Sequence, residues 1–240
     1  MENIISVKGL KKSYGDKVVL NGISFEVTRG SIFGLLGHNG AGKSTTIECI
    51  LGTRAFEQGK ITVFSQKLAK NRKQLFQKIG VQFQNTAYQH KIKVKEMCEI
   101  NHSLYKNSSD WKIMMQEFGL LDKANSYVAN LSGGEQQKLY IILAIMHNPE
   151  LVFLDELTTG LDPKARRDMW KYIHELKKRG TTIFLTSHYM DEVENLCDKI
   201  MILHKGAALI SGTVKEVIKK SGKPNLDEAF LYFSEGDKAI

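Results

Sequence analysis

"SIFGLLGHNGAGKSTTIECILG", residues 31 to 52, decides the fold. Its first six residues form an apolar run opened by the turn signal Arg29-Gly30, which reads as a buried strand. The run passes into Gly37-His38-Asn39-Gly40-Ala41-Gly42-Lys43-Ser44, which satisfies the phosphate-binding P-loop pattern, and then into a helical "STTIECILG". Strand, glycine-rich turn and helix are the context in which that pattern counts. The glycines let backbone N–H groups wrap phosphates, Lys43 reaches the β- and γ-phosphates, and the Ser44 hydroxyl is a Mg²⁺ ligand. The phosphate loop runs on through Thr45.

Outward from this centre, "IISVKGLKKSYG" and "VVLNGISFEV" alternate as strands around a turn at Gly15-Asp16. Further β-signals lie at "GKITVFSQ" and "KIGVQFQ". From about residue 85 to residue 148 the pattern becomes helical, with "EMCEINHSLY", "DWKIMMQEFGLL" and a helix opened by Ser132. Strands return at "LVFLDE", "TTIFLTSH" and "KIMILHKG", with the helical "PKARRDMWKYIHELKKRG" between the first two. Apolar strands alternating with helices imply an α/β fold with a parallel sheet covered on both faces. The helical stretch 85–148 reads as a lobe inserted into one domain whose core is built from 1–84 and 149–240.

A chain of 240 residues can bury a full core, and 42% hydrophobic with 25% charged residues is ordinary globular composition. The net charge of +8, from 34 Lys+Arg against 26 Asp+Glu, suits anionic ligands. The positive charges are scattered, so they read as a solvated basic surface, and no nucleic-acid partner is expected. Cys49, Cys98 and Cys197 are isolated and odd in number, which excludes a disulfide framework and metal-ligand spacing and fits a reducing compartment. No signal peptide is legible, and apolar runs such as Ile141 to Met146 fall well short of the roughly 20 residues of a membrane span. The expected location is cytoplasmic, with any membrane role exercised through a partner.

Polar residues at the ends of the apolar strands supply candidate chemistry, because open α/β sheets bind ligands at their carboxyl ends. "LVFLDE" presents Asp155 as a metal ligand and Glu156 as the general base that polarises an attacking water. His188 ends "TTIFLTSH", and Gln84 ends "KIGVQFQ". Gln82 competes with Gln84, but strand alternation and the following Asn85 favour Gln84 as the outward-facing one. Together these residues imply Mg²⁺-dependent nucleoside triphosphate hydrolysis. Ser132-Gly133-Gly134-Glu135 spells a capping box before an apolar helix, yet each glycine in that first turn costs up to about 1 kcal/mol against alanine. Free N–H groups at a helix start favour an anion, so the pair reads as a second phosphate loop.

P-loop, Gln84, "LSGGE", "LVFLDE", "TTGLDP" and "TSH" in this order resemble the nucleotide-binding subunit of an ATP-binding cassette (ABC) transporter, over nearly the whole chain from Gly9 to about Phe233. The resemblance implies ATP as the nucleotide and a RecA-like P-loop core with an N-terminal antiparallel β-subdomain and an inserted helical subdomain. It makes Gln84 the Q-loop glutamine and a metal ligand, and it makes His188 the switch histidine. It places Ser132 to Glu135 in the signature motif, Asp162 in the D-loop, and Tyr14 where the family stacks an aromatic ring on adenine. It also implies a second nucleotide-binding subunit packed head to tail, and a permease reached through the helical lobe and "NTAYQHKIKVKEM".

"LLGHNGAGKSTTI", "TSHYMDEVENLCDKIMILHKG" and "LDEAFLYF" look like the single-domain ATPases of ABC-2-type exporters of antibiotics, peptides or lipids, held at the cytoplasmic face of the membrane by the permease. Soluble cassette ATPases that act on ribosomes or DNA typically carry two cassettes or a long coiled-coil insertion. This sequence has one cassette and no sustained heptads. A regulatory subunit with degenerate chemistry is opposed by Lys43, Asp155 and Glu156. Leu157 stands where the family usually has proline, which loosens the expected loop from Glu156 to Asp162, and Glu135 stands where many members have glutamine.

Overall fold

The structure is a computed structural model and describes residues 2–67, 71–83 and 91–235. Strands β1 (Asn3–Tyr14), β2 (Lys17–Thr28) and β4 (Gln58–Val63) form an antiparallel sheet in the order β2-β1-β4. The central sheet runs β5-β6-β7-β3-β8-β9, from β3 (Ile32–Leu36), β5 (Ile79–Gln82), β6 (Leu151–Asp155), β7 (Thr182–Ser187), β8 (Lys199–His204) and β9 (Ala207–Thr213). Its first five strands pair in parallel, and β9 returns antiparallel on β8. No strand is expected at "AALISGT", whose apolar stretch is only Ala207 to Ile210. β9 forms there as a half-exposed edge after a tight turn at Lys205-Gly206.

Every residue of β3, β6 and β7 is buried, which is why these strands read as continuous apolar runs. Alternation sends their side chains to two cores. Leu151, Phe153, Phe184, Phe33 and Leu35 face the antiparallel sheet and α1 (Lys43–Ile50). Phe25, Phe33, Phe184 and Phe153 continue that contact as neighbouring rings 5.2, 5.5 and 5.4 Å apart. Val152, Leu154, Ile183 and Leu185 face the other way, into apolar residues of α3 (Val94–Leu104), α4 (Trp111–Glu117), α5 (Gly133–Ile145) and α6 (Pro163–Lys178). A third cluster around Leu36, Ile200 and Ile202 seats α7 (Met190–Leu196), α8 (Val214–Ser221) and α9 (Leu226–Glu235), while α2 (Arg72–Phe76) precedes β5.

The helical pattern read through "DWKIMMQEFGLL" ends early, at Glu117. Gly119 takes a left-handed φ of 66°, which stops α4 before a short 3₁₀ turn at Leu121–Lys123.

His147, just past α5, is 4% exposed and stacks on Tyr105 with ring centroids 3.7 Å apart. Its Nε2 lies 3.1 Å from the Ile79 carbonyl oxygen. Burial pushes its pKa down to about 4 from the ordinary 6.5, only partly offset by that carbonyl. A histidine kept neutral in the fold stabilises it above the unfolded pKa, and that stability is lost as pH falls from 6.5 towards 4, where only the unfolded chain takes the proton. Denaturant unfolding should therefore show wild type losing about 2 kcal/mol more than His147→Phe between about pH 7.5 and pH 5. Parallel pH profiles for the two proteins would remove His147 as the cause.

Candidate functional site

β3 delivers the glycine-rich loop to the carboxyl edge of the sheet. Gly42 has φ 109°, and a Cβ there would sit 2.6 Å from Leu20 Cδ2 and 3.0 Å from the Val19 carbonyl oxygen, so only glycine fits. Gly42 also N-caps α1 with no side-chain cap, which leaves the first-turn N–H groups to another acceptor. Ala41 N–H donates to the His38 carbonyl and Gly206 N–H to the Ala41 carbonyl, both at 3.1 Å, so the loop is pinned to the β8–β9 turn.

Lys43 is 6% exposed, and its Nζ donates to the Gly37 carbonyl at 2.7 Å and the His38 carbonyl at 3.3 Å. Burial lowers its pKa, against the opposing pull of Glu156 and Asp155. An ammonium held under the loop in this way is short of counter-charge, which phosphate oxygens would supply.

β6 ends on Asp155, which is buried between two hydroxyls. Ser44 Oγ donates to its Oδ2 at 3.1 Å, and Thr186 Oγ1, from its register partner on β7, donates to Oδ1. Glu156 then turns out of the strand at a left-handed φ of 56°, with its N–H donating to the Thr186 carbonyl at 3.2 Å and to Thr186 Oγ1 at 3.1 Å. Such a backbone is uncommon for a non-glycine residue and persists only where neighbours fix it. Here it sets the Glu156 carboxylate 3.9 Å from His188 Nδ1.

Two clefts meet at Glu156. One, of about 480 Å³, runs from Tyr14 and Lys17 past Asn39, Gly40 and Lys43 to Ser44 and Thr45. The other, of about 580 Å³, is lined by Gly37, His38, Asn39, His188 and residues of α9 including Phe230, whose ring centroid is 5.0 Å from that of His38. Tyr14 is 42% exposed at the mouth of the first, with the cations of Lys12 and Arg54 at 5.1 and 5.6 Å from its ring centroid. Lys17, Thr186 and Phe230 join the candidate site from outside the sequence motifs. Thr186 had a usable signal, because strand alternation places it two residues before His188 on the same edge.

The signature stretch lies apart from both clefts, neither of which is lined by residues 132–135 or by Asp162. Its capping box forms as read: Ser132 N–H donates to Glu135 Oε2 at 2.8 Å, and Glu135 N–H donates to Ser132 Oγ at 3.3 Å. The Ser132 amide, with Lys123 nearby, holds the Glu135 carboxyl below the usual range. Neither glycine is required by this chain. Both have ordinary helical backbone, Gly133 has nothing within 4 Å of a Cβ position, and a Cβ on Gly134 would only touch Leu161 at 3.4 Å.

The loop from Glu156 to Asp162 is held by contacts that a leucine in place of proline does not predict. Leu157 is fully buried among the helices, and its carbonyl accepts from Gln137 Nε2 at 2.7 Å. Asp162 N-caps α6, accepting from the N–H groups of Lys164 and Ala165, with Pro163 at the first helical position. Gln82 ends β5 at 3% exposure, and Gln84 lies outside the described residues.

Comparison with known proteins matches residues 20–159, more than half of the chain, to the family model described as ABC transporter. The chain belongs to the ABC transporter family. It is 40% identical over 222 residues to the Nod factor export ATP-binding protein I of Rhizobium sp. (strain N33), covering 90% of this chain and 73% of that one. It is 36% identical over 243 residues to the linearmycin resistance ATP-binding protein LnrL of Bacillus subtilis (strain 168), covering 95% of this chain and 78% of that one. A solved ATP-binding subunit of an ABC transporter superposes with a TM-score of 0.88 at 29% identity, over 96% of this chain and 99% of that one. The α/β architecture expected from the motifs, an ABC ATPase fold with an antiparallel sheet at the N-terminus, is the one observed. As an ATP-binding domain of this family it carries no helix, among the described residues, long and apolar enough to cross a membrane.

Proposed function

We propose that this chain is the ATP-hydrolysing subunit of a membrane exporter, working as a head-to-tail pair with a second nucleotide-binding subunit, either a copy or a paralogue. The observation that carries the pairing is the glycine pair at 133 and 134, which its own chain leaves without a steric or conformational reason. Ser132, Gly133, Gly134 and Glu135 then close over the ATP held by the partner's P-loop, with Asp162 beside them. Export is taken from the printed name of the Nod factor export relative, and the linearmycin resistance relative is compatible with it. An antibiotic, peptide or lipid-like substrate handled by a permease at the cytoplasmic face fits those names. The inserted lobe 85–148 and the segment 85–97, of which 85–90 lie outside the described residues, would meet the permease.

Within each site, Gly37 to Thr45 cradle the phosphates, Lys43 neutralises them, and Tyr14 backs the adenine. Mg²⁺ suits the donors present, since Ser44 and Asp155 offer only hard oxygens, and no larger group of His, Cys, Asp or Glu competes among the described residues. Ser44, Asp155 and Gln84 would hold the ion, which when bound supplies charge neutralisation at the phosphates. Glu156 takes the proton of the attacking water, and His188 fixes its orientation from the other side. Enclosure by the partner excludes bulk water, so turnover waits for closure.

ATP hydrolysis by the purified chain, together with co-purification of a permease from membranes, tests this reading. Lys43→Ala should weaken ATP binding by about tenfold to a hundredfold, the weight of a charge-assisted contact to phosphate. Unchanged affinity by calorimetry would remove Lys43 from its role. Stimulation of the ATPase by RNA or DNA, with no membrane partner recovered, would favour a soluble cassette ATPase instead.

A further inference from the structure

Behind Glu156 and His188 lies a buried polar cluster to which the roles above give no part. Glu192, on α7, is fully buried, and Trp170 Nε1 of α6 donates to its Oε1 at 3.3 Å. Its Oε2 has no hydrogen-bond partner among the described residues. The same holds for Thr158 Oγ1, two residues past Glu156 and fully buried, and for the buried Nε of Arg166 on α6. Burial raises the pKa of Glu192, while the side chains of Ser187, Thr158 and Trp170 and the charge of Arg166 draw it back towards the charged form, so Thr158 Oγ1 lies beside the carboxyl yet outside hydrogen-bond geometry. The Arg166 guanidinium also lies 4.2 Å from the ring centroid of Tyr189, pairs with Asp191 at 3.3 Å, and Tyr189's ring centroid is 4.2 Å from that of His188.

An acceptor, a cationic donor and a hydroxyl are thus gathered in one buried place with complementary bonds unmade. Folded proteins rarely keep such atoms unpaired, because the desolvation penalty remains without a compensating bond. Both ends of the cluster are catalytic loops. Thr158 sits on the turn that follows Glu156, and Tyr189 adjoins His188.

We infer that Glu192 is a positioning residue for hydrolysis: in a second arrangement of this cluster it accepts from Thr158 Oγ1 and pairs with Arg166 Nε, locking the Glu156 turn and the His188 loop in one geometry. The inference rests on the reading of Glu156 and His188 as the hydrolytic pair, so wild-type turnover is measured first. A wild type that binds ATP without hydrolysing it overturns that reading and this inference together.

Where wild type turns over, Thr158→Val decides. The substitution removes an unpaired hydroxyl at constant shape, so Tm should hold or rise while kcat falls about tenfold with KM for ATP unchanged. Stability and rate moving apart is a result that a merely structural threonine would not give. Glu192→Gln, which keeps the Trp170 bond but not the charge, should show the same split between kcat and KM. Wild-type kcat in folded Thr158→Val, or kcat and KM falling together with Tm, would overturn the proposal.

Discussion

Replacing Glu156 with glutamine should give a chain that binds ATP and scarcely turns it over. Glutamine keeps the side chain's length and tolerates the φ of 56° about as well as glutamate, so the turn after β6 survives. What is lost is the carboxylate proposed to accept the proton of the attacking water, worth about 10²- to 10⁴-fold in rate. Binding itself should hold or tighten, because a negative group facing Lys43 and the phosphates has been neutralised. With hydrolysis blocked, the proposed closed pair would have no exit, and an ATP-bound dimer should accumulate. Steady-state turnover measures the first effect, and light scattering in excess ATP measures the second. Near-wild-type kcat would remove Glu156 as the base, and a monomer in excess ATP would contradict closure by a second subunit.

The parts of this site that sequence discloses are those whose chemistry is local. Gly42-Lys43-Ser44 is legible because strand, loop and helix follow one another in the chain, and Asp155 because an apolar strand ends on it. Ser132 and Glu135 are legible as a cap because capping spans only four residues. The half-exposed β9 pairs along the edge with β8, and its short apolar stretch, Ala207 to Ile210, does not alternate, so periodicity passes over it. Phe230 reaches His38 only because α9 packs on Leu36 and Ile202, a tertiary fact with no local sign. Leu157 is the instructive departure. Read as a missing proline it loosens a loop, whereas burial and the bond from Gln137 supply the restraint by other means.

Placing an aspartate at Gly133 should separate what this chain needs from what its partner needs. Gly133 is the first residue of α5, has ordinary helical backbone and faces open space. An acid there complements the helix dipole by about 0.3–1 kcal/mol and removes a glycine from the first turn, so Tm of the isolated chain should hold or rise. Binding of ATP at the chain's own P-loop should also hold, since neither cleft is lined by residue 133.

Against a partner's phosphates the same carboxylate is a like charge. At about 4 Å and an effective dielectric near 20 the repulsion is about 4 kcal/mol, roughly a thousandfold against closure and hence against turnover. Mixing then decides whether the loop acts in trans. With ATP held well below the weakened Kd of Lys43→Ala, the Lys43→Ala and Gly133→Asp chains should each be nearly inactive alone, but a head-to-tail hybrid joins the intact P-loop of one to the intact signature loop of the other. Random pairing makes half of the dimers hybrids with one sound site each, so about a quarter of wild-type activity should return. A signature loop serving its own chain would return none, because every chain in the mixture carries a lesion.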